Sequence, residues 1–323
     1  QEVYQDLIRG VEPDGIEAID EGVRDKKIKL AKNPSMTPDD LMKLSEDEDH
    51  RVRGAVAKNS STPPDILRKL SGDEEEWVRE GVAKNPSTPL DILVKLSGDE
   101  DEGVRGEVAH NSSTPLDILR KLSGDPHFGV RMSVAENPST PLDVLKKLSR
   151  DEVDLVRAWV AKNPSTPLDI LVKLSGDESY DVREEVGKNP STPPDILVKL
   201  SGDEDDRVRM KVAENPSTPP DVLRELSGDE AGLVRAWVAG NPSIPPDVLV
   251  KLSGDEEDWI RIDVAKNPST PRDVVEKLLE DPSESVRLHA KEALEKLQEK
   301  QASTNQRRFN KIARYLRISN FKN

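Results

Sequence analysis

The 323-residue chain has no cysteine. Disulfides, thiolate metal sites and cysteine nucleophiles are therefore excluded, although the compartment is not fixed by that. Aromatic residues are 3% and hydrophobic residues 34% of the chain, the latter well below the ~45–50% apolar share of an average globular protein. Mean hydropathy is −0.68. No apolar run reaches the ~18 residues of a membrane-spanning helix, and no signal peptide is visible. The chain starts at Gln1 rather than Met, which reads as a fragment or a processed form. A cytoplasmic location is the default expectation, and an effector domain upstream is left open. These scarcities, with 25 prolines, would describe a disordered chain were the apolar residues not strictly periodic. The length is large for one globular core and suits two domains or a repeat array.

Acids outnumber bases, giving a net charge of −15. From Lys300 onward the balance reverses, with seven basic residues and no acid, so the remainder carries −22. An acidic body argues against binding of a phosphate backbone by the array.

The order lies in a period of 26 residues. The pair V-R recurs from Val52 to Val234 at that spacing, then as Ile260–Arg261 and Val286–Arg287. Asn recurs at 33, 59, 85 and onward to 267. The consensus is V-R-x-x-V-A-x-N-P-S-T-P-x-D-I-L-x-K-L-S-G-D-E-x-x-x, and nine full repeats fill 52–285. The expected organisation is a leader over 1–25, a solenoid over 26–285 with one degenerate and nine full repeats, a capping helix over 286–299 and a basic tail over 300–323.

Each repeat predicts two helices. In the repeat from Val52, Thr62 reads as an N-cap, Pro63 as first-turn proline and Asp65 as its capping-box acid. Ile66, Leu67 and Leu70 form the apolar face of this short helix, and Ser71-Gly72 ends it. A partly 3₁₀ conformation is open for so short a segment. Asp73 reads as the cap of a second helix that runs to about Lys84 and is stopped by Asn85-Pro86. Two such helices bury a core only when stacked on neighbours. The expected fold is an all-α, right-handed α-solenoid of about ten 26-residue, two-helix repeats.

Three polar ladders share the period: Asp47, Asp73, Asp99 and onward to Asp281; Arg53, Arg79 and onward to Arg287; and the Asn ladder. A catalytic site is not needed nine times in one array. A structural role is therefore expected: Asp as helix cap, Arg pairing with carboxylates or helix carbonyls, Asn satisfying backbone at the turn.

The string GDExxxVRxxVAxNPSTPxDxLxxL resembles the leucine-rich repeat variant family, a relative of HEAT-like helical repeats, over about residues 30–290. The resemblance implies a right-handed superhelix of alternating α and 3₁₀ helices without strands. The period of 26 is slightly longer than is usual there. The cysteine cluster that holds an iron–sulfur centre in a founding member is absent, so no such cofactor is expected. No uniform activity accompanies the family.

Repeats differ from one another at fixed slots. Around Trp77 these are Trp77, Glu80, Gly81 and Lys84, spaced i, i+3, i+4, i+7, so they are expected to share one solvent-facing arc of about 100°. All four tryptophans, Trp77, Trp159, Trp237 and Trp259, fall in such slots, and Phe128 and Tyr180 sit just before one. Met132, Leu155, Met210, Leu233 and Ile262 add apolar surface, while Glu80, Glu184, Glu185, Arg207, Lys211 and Asp263 add charge. Drift on an unconstrained surface should favour Lys, Glu and Ser rather than collect tryptophan. These residues are therefore the expected contacts for a protein or peptide partner. Segments 78 residues apart also match, as in LVRAWVA at 155–161 and 233–239, which points to duplication of a three-repeat block.

Other chemistry finds little footing. The histidines His50, His110, His127 and His289 show no metal-ligand spacing, and neither phosphate-cradling glycine motifs nor a G-x-S-x-G elbow occur. HEAT-like DNA glycosylases use Trp and Asp on one face, but they need a basic groove and this face is mixed to acidic. No catalytic, metal or cofactor site is expected. The tail places Phe309, Ile312, Ala313 and Leu316 at helical spacing between arginines and reads as a basic amphipathic helix. Docking on the acidic array of its own or another chain is favoured for it; a membrane surface, nucleic acid, a separate partner or a frayed end are the alternatives. The expected function is non-enzymatic recognition of a protein or peptide, with a structural scaffold as the alternative and a nucleic-acid-acting HEAT-like protein as the third.

Overall fold

The computed structural model describes the backbone of residues 13–299 together with Arg307, and side chains from residue 21 onward. Of the expected basic tail only Arg307 falls among the described residues, and residues 1–12 of the leader lie outside them. Among those described, helices and turns alternate with no strand. The chain divides into two compact bodies, Gln1–Ile170 and Leu171–Asn323.

In the first body a nineteen-residue helix, Pro13–Ala31, precedes a regular alternation of seven- and nine-residue helices. The nine-residue helices His50–Lys58, Glu76–Lys84, Glu102–His110, Phe128–Glu136 and Asp154–Lys162 pack each on the next. Short helices such as Pro64–Leu70 and Leu90–Leu96 touch the long helix on either side. The second body repeats this with Tyr180–Lys188, Asp206–Glu214, Gly232–Gly240 and Asp258–Lys266, then a helix over 284–299.

The core is aliphatic. Val52, Val56, Ile66, Leu67 and Leu70 of one repeat are 0–1% exposed, and their equivalents in the other full repeats are buried too, apart from the half-buried Ile118. Each fully buried side chain of this size contributes roughly 1.5–3 kcal/mol, which is how a chain so poor in aromatics forms a core.

Several capping expectations are corrected. Thr62 is not the N-cap. Its buried hydroxyl donates to the Val56 carbonyl at 2.6 Å, at the end of the preceding helix, where the same oxygen also accepts from the Asn59 amide at 3.1 Å. The N-cap position falls on Pro63, and Pro64 opens the helix with no amide to satisfy. Asp73 is not the cap of the second helix either. That helix begins at Glu76, and Asp73 Oδ1 accepts from the Glu75 amide at 3.1 Å in an Asx turn just before it. The short helices are α over seven residues rather than 3₁₀, with three-residue spacing of hydrogen bonds confined to their ends, as in Ile66 N to Pro63 O and Gly72 N to Lys69 O.

The ladders are structural. Arg53 forks onto Asp73 through Nε at 2.7 Å and Nη2 at 2.9 Å, while Nη1 donates to the carbonyls of Asp47 and Glu48. The pattern recurs as Arg79–Asp99, Arg105–Asp125 and Arg131–Asp151, and in the second body as Arg183–Asp203, Arg209–Asp229, Arg235–Asp255 and Arg261–Asp281. Burial pulls the Asp73 carboxyl upward, but the Arg53 hydrogen bonds, the Glu75 amide and two guanidinium charges outweigh it, so its pKa lies below the ordinary value. Asn85 Nδ2 donates to Ala57 O at 2.7 Å and Asn59 O at 2.8 Å in the preceding repeat, and its Oδ1 accepts from the Ser87 amide. A fourth ladder went unread in the sequence. Lys95 donates to Ser71 of the preceding repeat, and Lys121 does the same to Ser97.

Candidate recognition face

The variable slots lie on the nine-residue helices, on the side away from the short ones. They do not form a uniformly exposed arc. First and fourth slots such as Arg51, Trp77, Lys58 and Lys84 are exposed, although first-slot Trp259 is half-buried. Most middle-slot residues, the exposed Trp237 aside, turn into the seam with the neighbouring long helix. Gly54, Ala55, Gly81 and Ala158 are buried there. The cause is close packing: a Cβ on Gly81 would stand 3.0 Å from Ala57 Cβ and 3.3 Å from Gly54 O.

In the first body Trp77 is 57% exposed. Glu80 is half-buried, and burial raises its carboxyl above the ordinary value; Asp101 and Glu107 push the same way while Lys58 opposes. The run Gly103, Gly106, Gly129 and Ser133 opens a notch of about 350 Å³, bordered by Lys84, His110 and His127. Phe128 is exposed, with its ring centroid 5.2 Å from that of His127. Met132 is half-buried. Leu155 is 45% exposed, and Trp159, one turn on, is half-buried with Lys162 Nζ 3.7 Å from its ring centroid.

In the second body Arg207 stacks over Tyr180 at 3.7 Å and pairs with Asp205 at 2.8 Å. Burial raises the Glu184 carboxyl, with Lys211 opposing. Glu185 is half-buried, and its enclosed Oε2 has no hydrogen-bond partner. Lys211 bonds Glu214 at 3.0 Å and stands 5.5 Å from the Trp237 ring centroid; Met210 is half-buried beside it. Leu233 and Trp237, one turn apart, are 59% and 39% exposed. Trp259 is half-buried, donates Nε1 to Glu257 at 3.1 Å, and lies where a Cβ on Gly232 would come within 3.1 Å of its ring. Ile262 is half-buried, and burial raises the Asp263 carboxyl against the opposing charges of Lys266 and His289.

The two bodies thus each bring their share of these residues to one side of the long helices. Trp159 and Trp259 are more enclosed than an open stripe requires. A second apolar surface was missed: Leu90, Val94, Leu116 and Leu142 stand exposed on the short helices of the first body, and Val198 and Val250 on those of the second. The signal was available, since the first and fifth positions of the short helix vary between repeats and share one outward face. Where the fifth position is arginine it instead reaches the next short helix, as Arg68 to Asp91 and Arg120 to Asp143. Among the described residues no cluster of three or more His, Asp or Glu is placed to hold a metal ion, and no helix is long and apolar enough to cross a membrane.

Stacked helix pairs with a fixed frame and a variable face define the class of tandem helical-repeat proteins suited to protein interaction or scaffolding. Within that class the chain is similar to the leucine rich repeat variants: the family model of that description matches residues 50–75, 76–101, 206–231 and 232–257. Among solved structures, a leucine-rich repeat variant with a novel repetitive structural motif is similar at 24% identity, covering 77% of this chain and 88% of its own, with a TM-score of 0.47. Importin beta in an ammonium sulfate condition is similar at 11% identity over 91% of this chain and 50% of its own, with a TM-score of 0.35. The Pds5–Scc1 complex gives 15% identity over 84% of this chain and 70% of its own, with a TM-score of 0.26. Among curated proteins none matches.

Proposed function

We propose that the protein is a non-enzymatic recognition module that docks a protein or peptide partner on the variable side of its nine-residue helices. The observation that carries this is the pair Leu233 and Trp237: two large apolar side chains one turn apart, left in water by a fold that encloses its invariant aliphatics almost completely. Exposed tryptophan flanked by polar residues is typical of interface hot spots. Trp77 and the pair Leu155 and Trp159 offer the first body's equivalent anchors. The charges beside them, Glu80, Glu184, Glu185 and Lys211, tune partner choice rather than affinity. A scaffold without a specific ligand is favoured by one observation, the exposed leucines of the short helices, which show that apolar exposure is not confined to the variable side.

Affinity capture with the chain and with a Trp77→Ala, Trp237→Ala variant tests the reading, with melting curves taken alongside. A partner retained by the first and lost by the second at equal stability supports it. Capture unchanged in the variant refutes it. Early melting of the variant would place the tryptophans in the core and also refute it.

A further inference from the structure

One cavity on the first body's variable side is basic, in a chain that is acidic overall. It holds about 440 Å³ between the helix Pro13–Ala31 and the start of the repeats. Gly54 and Ala55 make its floor, and Ile28 and Trp77 its apolar walls. Lys32, His50, Arg51 and Lys58 complete the lining, with no acid among the lining residues. Lys32 and Lys58 are exposed and reach water over an apolar floor. The floor exists because position 54 has no side chain: a Cβ there would meet nothing closer than 3.9 Å, so the space under Trp77 is left unfilled. Acids act on the cavity's rim rather than line it: Asp49 holds Arg51 at 2.7 Å, Asp25 and Glu21 also act on Arg51, and Glu80 interacts with Lys58.

Lysines and an arginine over a tryptophan-walled floor ask for an occupant that is anionic at its edges and apolar in its middle. A bare phosphate would leave the floor unused. It would also find the helix-start amide of Arg51 already taken by Asp49 Oδ1 at 2.8 Å. We infer that this cavity receives an acidic segment of the partner protein, seating an apolar side chain between Trp77 and Ile28 and its flanking carboxylates on Lys32, Lys58 and Arg51. The inference rests on the proposed recognition of protein by this face and names the chemistry of one stretch of the partner.

The test is an anisotropy titration of the full chain with a fluorescein-labelled hexapeptide alternating glutamate and leucine, beside a twin with glutamine for glutamate. At low salt the glutamate peptide should bind at least fivefold tighter than its twin. Exposed ion pairs of up to about 1 kcal/mol correspond to a two- to fivefold loss in each of Lys32→Gln and Lys58→Gln. Trp77→Ala should weaken both peptides about tenfold, as for an apolar anchor. All three side chains are exposed, so the fold should persist, and melting curves check it. Equal binding of the two peptides, or lysine variants that bind as the parent does, overturns the inference. So does displacement of the peptide by inorganic phosphate beyond that by chloride of equal ionic strength. If the acidic peptide fails while capture through Trp237 holds, the cavity assignment falls and the recognition face stands.

Discussion

Asn137 is 1% exposed, and no chemistry but packing is asked of it. Its Nδ2 donates to Ala109 O at 2.8 Å and to Asn111 O at 3.2 Å, and its Oδ1 accepts from the Ser139 amide at 2.9 Å. Ala109 lies in the last turn of Glu102–His110, so Asn137 closes the helix end of the preceding repeat. Asn137→Ala removes three hydrogen bonds at about 1 kcal/mol each and leaves buried backbone groups without partners, so a loss of about 3 kcal/mol is expected. Asn137→Asp should be worse at neutral pH. It keeps the acceptor for Ser139 but turns a carboxylate oxygen onto two carbonyls, a buried charge with no cation. Urea unfolding of the full chain, followed by circular dichroism and tryptophan fluorescence, reads both variants. Because repeats couple to nearest neighbours, hydrogen exchange should show the loss concentrated at the repeats meeting near residue 111. An alanine variant within about 0.5 kcal/mol of the parent, the usual span of surface substitutions, or an aspartate variant more stable than the alanine, would refute the reasoning.

Three further outcomes follow from the same geometry. The carboxyls of Asp73, Asp99, Asp125, Asp151, Asp229, Asp255 and Asp281 have folded pKa values below the ordinary one. Their contribution is present above the unfolded value of about 3.9 and is lost as pH falls through the folded values; a melting temperature that does not fall between pH 5 and pH 2 would contradict this. Gly81→Val should destabilise by about 1–3 kcal/mol through overpacking, because even its Cβ stands 3.0 Å from Ala57; the urea midpoint measures it, and no change would show the seam to be loose. Glu185→Leu should raise the urea midpoint by about 1 kcal/mol through removal of an enclosed, unpartnered oxygen, while weakening partner capture; a less stable variant would show the carboxylate to be better satisfied than its surroundings suggest.

The period carried most of the fold into view. Val52, Ile66, Leu67 and Leu70 announce their burial by recurrence, and the Arg and Asn ladders announce structural work by occurring in every repeat. The capping details did not show, because Thr62 followed by two prolines reads the same whether its hydroxyl faces forward to an N-terminus or back to Val56. Helical spacing placed Trp77, Trp159 and Glu80 on one arc. It could not show that neighbouring long helices approach closely enough at Gly81 to draw the middle of that arc into a seam. That is why Trp159, the equivalent of Gly81, is half-buried while Trp77 stands free. The leucines at 90, 116 and 142 were passed over because a core residue stands two places on in each repeat, and a short helix was credited with one apolar face rather than two. Of the cavity beside Trp77, the sequence offered only its separate lysines, which lie 26 residues apart and meet through stacking.

The most direct test of the recognition face is hydroxyl-radical footprinting of the captured complex against the free chain. Protection of Trp77, Phe128, Leu155, Leu233 and Trp237, with Leu90, Leu116 and Leu142 reacting as before, is the expected result. Protection of the short-helix leucines with unchanged reactivity at Trp77 and Trp237 would contradict it and move the interface to the other side of the repeats.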